Sequence, residues 1–142
     1  MATTRKASAH WEGSLLEGKG VVALVSSHAG EFKVNWPARS AEPNGVTSPE
    51  ELIAAAHSTC YSMALSHALA QAGTPPTTVD THAEVDFQPG TGITGIRLHV
   101  RASVPGLTAE KFADFAAEAK EGCPVSQALK AVPISLEAEL VP

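Results

Sequence analysis

The sequence of 142 residues predicts an α+β fold in a single domain spanning residues 1–142. Three observations predict it. Apolar and polar residues alternate near the start, in the middle and near the end of the chain, the period-two pattern of half-buried strands. The stretch from Ser48 to Gly73 is almost uniformly apolar and carries both end signals of a helix. A second stretch, Thr108 to Gly122, spaces its apolar residues three and four apart.

Taken in order, "HWEGSLLEGKGVVALVSS" holds two extended runs, near residues 8–16 and 20–27, joined by a turn at Gly18 and Gly20. "GEFKVNW" alternates Phe32, Val34 and Trp36 with Glu31, Lys33 and Asn35, which predicts another half-buried strand. "PARSAEPNGVTSP" is dense in turn residues and reads as a loop. The long helix then opens on a capping box: Ser48 at the N-cap, Pro49 at N1 and Glu51 at N3. Gly73 and the Pro75-Pro76 pair stop it. Almost nothing between Leu52 and Leu69 is charged, so the helix is expected to be buried around most of its circumference.

"VDTHAEVDF" and "ITGIRLHVRASV", separated by "QPGTG", predict a hairpin. "TAEKFADFAAEAKEG" predicts a second helix, capped by Thr108 and ended by Gly122, with Phe112, Phe115, Ala116 and Ala119 on its apolar face. "CPVSQALK" predicts a short third helix from Pro124, and "PISLEAEL" a last strand.

Composition removes several classes of function. A net charge of -5 opposes non-specific nucleic-acid binding, which needs a basic surface. No apolar run reaches the ~20 residues of a membrane span. "MATTRKASAHWEG" lacks the apolar core of a secretory signal, so the expected compartment is the reducing cytoplasm. There, the two cysteines are expected as free thiols, a transient disulfide or metal ligands rather than a permanent staple.

Cys60 lies near the middle of the long helix, and alone it reads as a small buried hydrophobe. Cys123, between Gly122 and Pro124, falls at the N-cap of the short helix, where a thiolate is favoured. His57 sits one turn before Cys60 on the same face. The pair is compatible with a Cys–His nucleophile. It is also compatible with a metal site using Cys123 or His67, although no clustered ligand spacing supports one. A hydrogen-bonded structural histidine is the reading the residues favour. Glu50 by itself is a surface carboxylate at a helix N-terminus, and Arg39 a solvated loop residue.

"SPEELIAAAHSTCYSMALS" together with "GCPVSQALK" resembles the OsmC/Ohr family of organic hydroperoxide peroxidases, on its OsmC (osmotically inducible protein C) branch. "AHWEGSLLEGKG" and "SVPGLTAEKF" extend the resemblance over essentially the whole chain. The resemblance implies antiparallel sheets wrapped around two long central helices in an intertwined homodimer. It implies a thiol peroxidase that turns organic hydroperoxides into alcohols with no metal, haem or other bound cofactor. An external dithiol, such as a lipoyl group on a protein, would be the reductant. Residue by residue, Cys60 matches the peroxidatic cysteine, Cys123 the resolving cysteine, Glu50 the active-site glutamate and Arg39 the active-site arginine. Apolar neighbours of Cys60 (Leu52, Ile53, Met63, Leu65) would favour an alkyl or aryl tail.

Helix geometry adds a constraint. Glu50 precedes Cys60 by ten residues on one helix, about 15 Å along the axis and about 80° apart in azimuth. Helical side chains lean towards the N-terminus, so Glu50 leans away from Cys60. A Glu50 that serves Cys60 is therefore expected from the partner subunit, with Arg39 beside it. Two rival functions stay open: a Cys60–His57 hydrolase or acyl-transfer enzyme, and a non-catalytic module that binds a small ligand.

Overall fold

A computed structural model describes residues Met1–Pro142, and its elements follow the predicted α+β order. Strands β1 (Ser8–Glu12), β2 (Lys19–Ala23) and β3 (Glu31–Val34) lead into a short helix α1 (Trp36–Ser40) and the long helix α2 (Pro49–Gln71). Strands β4 (Thr78–Gln88) and β5 (Gly92–Ser103) follow, then α3 (Ala109–Gly122), α4 (Pro124–Ala128) and β6 (Ile134–Val141). The chain divides into two compact units, Met1–Leu52 and Ile53–Pro142. Helix α2 runs unbroken through the division.

In the first unit β1, β2 and β3 form an antiparallel sheet in that order. Strand β1 is shorter than its predicted run because Ser14 closes a turn, its carbonyl accepting from Gly18 N–H at 2.8 Å, and β2 stops at Ala23 because a second turn follows, with His28 N–H donating to Leu24 O at 3.0 Å. Gly20 belongs to β2, opposite Trp11, and not to the turn. A Cβ at Gly20 would come within 2.8 Å of the Trp11 ring, so this glycine admits the indole across the strand pair. Trp36 is likewise outside β3. The Asn35 side chain accepts from Ala38 N–H at 2.8 Å and Pro37 suits the first turn, so the chain enters α1 at Trp36. Arg39 therefore stands on a helix, where the sequence predicts a loop.

In the second unit β4 and β5 pair antiparallel, with His82 opposite His99, and β6 joins the other side of β5 in parallel. Parallel pairing needs a crossover, and α3 with α4 supplies it. The core lies between α2, β5 and α3, with Tyr61, Leu65, Leu98, Val100, Phe112 and Ala116 all but inaccessible to solvent.

Both ends of α2 follow local chemistry. Ser48 Oγ accepts from Glu51 N–H at 3.2 Å, while the Glu51 carboxylate turns to the Thr47 hydroxyl. At the other end Gly73 adopts a left-handed φ of 86°, and Thr74 N–H reaches Leu69 O at 2.9 Å, a Schellman closure. Burial differs from expectation. His57, Tyr61, Leu65 and Leu69, four residues apart, are buried, whereas Ala55, Ala56, Thr59, Met63 and Ala70 are exposed. Within one chain, the sheet and α3 cover only one stripe of the helix.

That stripe is pinned by Tyr61, whose hydroxyl donates to Ala116 O of α3 at 2.9 Å. Tyr61→Phe removes this bond and keeps the ring. It is expected to lower the free energy of unfolding by about 1 kcal/mol, read by urea titration. An unchanged midpoint would assign the seating of α2 to apolar packing alone.

Candidate active site

The four residues singled out by sequence fall into two pairs, one in each unit. Glu50, on the first turn of α2, is only 6% exposed. A carboxylate so buried needs a partner, and Arg39 of α1 supplies one. Arg39 Nε donates to Glu50 Oε1 at 3.0 Å and Nη2 to Oε2 at 3.0 Å, a bidentate fork. Neither residue is the solvated surface group that its position alone suggests. Arg39 also lines a cavity of about 450 Å³ with Trp11, Leu15, Val34, Trp36 and Leu52. The cavity is an apolar hollow with a guanidinium in its wall.

In the second unit Cys60 is half-buried on α2 and Cys123 fully buried at the joint between α3 and α4, both as free thiols. Burial pushes the Cys60 thiol above its ordinary value, and the adjacent Cys123 thiol pushes it further the same way. The backbone N–H of Val125, in the first turn of α4, acts in the opposite direction on the Cys60 sulfur. The start of α4 thus serves Cys60, while the Cys123 side chain makes no capping bond of its own.

His57 is completely buried, and its Nε2 lies 2.7 Å from Ser126 Oγ of α4. Its Nδ1 is buried without a partner. Neither nitrogen bonds Cys60, so the hydrogen bond a Cys–His nucleophile requires is not made. No three His, Cys, Asp or Glu side chains converge as a metal site would require.

Of the apolar neighbours expected around Cys60, Leu52 lines the Arg39 cavity, Leu65 belongs to the core of the second unit and Met63 is 68% exposed. Trp11 and Trp36 as cavity walls, and Val125 and Ser126 beside Cys60 and His57, had no individual signal in the sequence.

An α+β fold in which a helical cysteine neighbours a second, buried free thiol brings together two groups with the chemistry to form a disulfide. Residues 42–137 match the family described as OsmC-like protein, and the chain belongs to that family. The Escherichia coli protein named Peroxiredoxin OsmC is 44% identical over 134 residues, covering 92% of this chain and 93% of that one. The crystal structure of an organic hydroperoxide resistance protein OsmC from Legionella pneumophila superposes with a TM-score of 0.75 at 25% identity, covering 100% of this chain and 99% of the other. OhrB of Bacillus subtilis, an organic hydroperoxide resistance protein, shares the fold at a TM-score of 0.66 and 22% identity, covering 98% of each chain. No helix is long and apolar enough to cross a membrane.

The site carries a pH signature through His57. Burial holds its imidazole below the ordinary value of 6.5, so the unfolded chain binds the proton more readily. The contribution of His57 is intact above that value and is lost as pH falls below it. His57→Gln is expected to flatten the dependence of unfolding free energy on pH between about 7 and about 5. A variant with the parent's slope would place the sensitivity elsewhere.

Proposed function

We propose that the protein is a thiol-dependent peroxidase that reduces organic hydroperoxides to alcohols, with Cys60 as the attacking thiol and Cys123 as the resolving one. The observation that carries this reading is the meeting of the two free thiols in an apolar setting. The kinship to a peroxiredoxin over nine-tenths of the chain supports peroxide as the oxidant.

The steps balance. The Cys60 thiolate attacks one peroxide oxygen, the O–O bond breaks, and the alkoxide leaves to be protonated as the alcohol. Cys60 is left as a sulfenic acid. Cys123 then attacks its sulfur, forming the disulfide and releasing water. An external dithiol, lipoyl-like in chemistry, reduces the disulfide, and the chain itself supplies no bound cofactor. Burial opposes the Cys60 thiolate, so the site needs a fixed cation. The Arg39 guanidinium, held by Glu50, has the charge for that and the donors for the departing alkoxide. The hollow of about 450 Å³ beside Arg39 suits the tail of an alkyl or aryl hydroperoxide.

The cation comes from a second copy. Ten residues of helix separate Glu50 from Cys60, too far for one side chain to span. Leu15 is 55% exposed, Leu16 68%, and Met63 68%, apolar surface that a lone chain leaves in water. A two-fold homodimer covers such surface and builds each site twice, with Arg39 and Glu50 of the partner subunit.

One equivalent of cumene hydroperoxide added to reduced protein is expected to remove two thiols per chain and leave an intramolecular disulfide by mass. Cys60→Ser should abolish peroxide consumption, and Cys123→Ser should react once and stop at oxidised Cys60. Normal turnover by Cys60→Ser would refute the mechanism.

The assembly has its own test, in which Glu50→Gln chains are mixed with Cys60→Ser chains. A mixed dimer in the cross-chain arrangement regains one site with both residues intact, so activity should return. No recovery, with subunit exchange verified by mass, would put Glu50 and Cys60 of a working site on the same chain.

A further inference from the structure

We infer that the buried His57–Ser126 hydrogen bond is a positioning device for the resolving step: it holds the start of α4 on α2 so that Cys123 is presented to Cys60. The inference rests on the peroxidase reading above.

Cys123 occupies a joint. Its backbone, at φ -58° and ψ 123°, is the last cap of α3 and the first of α4 and belongs to neither helix. On the α3 side the joint is secured twice. Cys123 N–H donates to Ala119 O at 2.9 Å, and Tyr61 ties α3 to α2 through Ala116. On the α4 side the hold is thinner. Helix α4 has five residues, too few to be stable without tertiary contacts. Ser126 is the only one of the five that is buried, and its hydroxyl meets His57 at 2.7 Å. This bond is therefore a side-chain tether of α4 to α2.

The spacing makes the tether relevant to the thiols. His57 stands three residues before Cys60 on α2, and Ser126 three residues after Cys123. The pairs His57–Ser126 and Cys60–Cys123 form successive rungs between the same two segments. Val125, whose backbone favours the Cys60 thiolate, is the residue next to Ser126. Alanine would satisfy packing at this position, whereas a buried hydroxyl is costly unless it is bonded. A bond that tolerates little movement is what disulfide closure demands, because the S–S dihedral and the Cα separation are narrowly limited. In that step the Cys123 sulfur attacks the Cys60 sulfenic sulfur. The S–S bond forms, the S–O bond breaks, and hydroxide leaves with the proton released by Cys123. His57 and Ser126 exchange no atoms with the reactants.

The test separates the two chemical steps. Reduced parent, Ser126→Ala, His57→Leu and His57→Gln proteins receive one equivalent of cumene hydroperoxide. Peroxide loss reads the first step, dimedone capture reads the sulfenic acid, and intact mass reads the disulfide. Ser126→Ala and His57→Leu are expected to consume peroxide within about threefold of the parent rate but to close the disulfide about tenfold more slowly, so that captured sulfenic acid rises. His57→Gln, whose amide reaches the place of Nε2, should recover most of the closing rate. A loss of stability alone would not shift this partition or restore it with glutamine. Closure at the parent rate in Ser126→Ala overturns the inference, as does a His57→Gln variant as slow as His57→Leu. If Ser126→Ala does not fold, the two His57 variants decide the question. A parent that forms neither sulfenic acid nor disulfide overturns the peroxidase reading, and the inference with it. A parent that forms both, with all variants alike, overturns only the inference.

Discussion

The seating of one stripe of α2 against α3 and β5 governs the arrangement of the second unit. Tyr61 is the pivot. Its ring is inaccessible to solvent and its hydroxyl is bonded to a carbonyl of α3. Burial and the neighbouring Cys123 push the phenol well above its ordinary range, so the hydroxyl remains a donor. With the azimuth of Tyr61 settled, the adjacent Cys60 is turned to the edge of the buried stripe. There it stays half-open while still meeting the joint between α3 and α4. A thiol at the stripe's centre would be sealed from solvent, and one on the far side would not meet Cys123.

The first unit answers to a different constraint. It has little core, since Gly20, Ala38 and Glu50 are its only buried residues. The most demanding of these is Glu50, because an ionised carboxylate out of water must be compensated. Arg39 compensates it, and Arg39 is where it is because Asn35 caps the short helix that carries it. A capping amide at Asn35, just past the end of β3, thus sets the direction of a guanidinium. The fork also limits the rotamers open to Arg39, so its charge is presented in one place rather than averaged over a surface.

Features decided by short-range chemistry were legible in the sequence. Thr108 caps α3, Ser48 caps α2, Gly73 closes it, and the turn after Gln88 makes the hairpin, all as predicted. Features decided by what lies opposite were not. Gly20 looks like a turn residue until Trp11 is placed over it. The period-two pattern of "PISLEAEL" announces a strand but is silent on direction, and β6 runs parallel. The charge-poor surface of α2 suggests burial all round, but a single chain has material for one side only. In the candidate site, Cys60 and Cys123 drew notice as the only thiols. The meeting of Arg39 with Glu50 has no local signal, and the resemblance to a family was needed to raise it. Ser126 gave none at all, because a serine in a five-residue helix has no periodicity to betray a role.

The parallel pairing of β6 with β5 bears on the order in which the chain can assemble. Strands β4 and β5 can zip as a hairpin as soon as both exist. Strand β6 cannot join until α3 and α4 have been made and laid across the sheet. Each β5–β6 pair lies 38 residues apart in sequence, farther than any pair within the hairpin, the kind of contact that forms late and slowly. Until then Cys123 sits on a crossover with no sheet edge to anchor it, and Cys60 on a helix without its cover. A nascent chain therefore carries two thiols that are not yet partners. Oxidation at that stage would link them to other molecules, so a reducing environment during synthesis protects the fold as well as the chemistry.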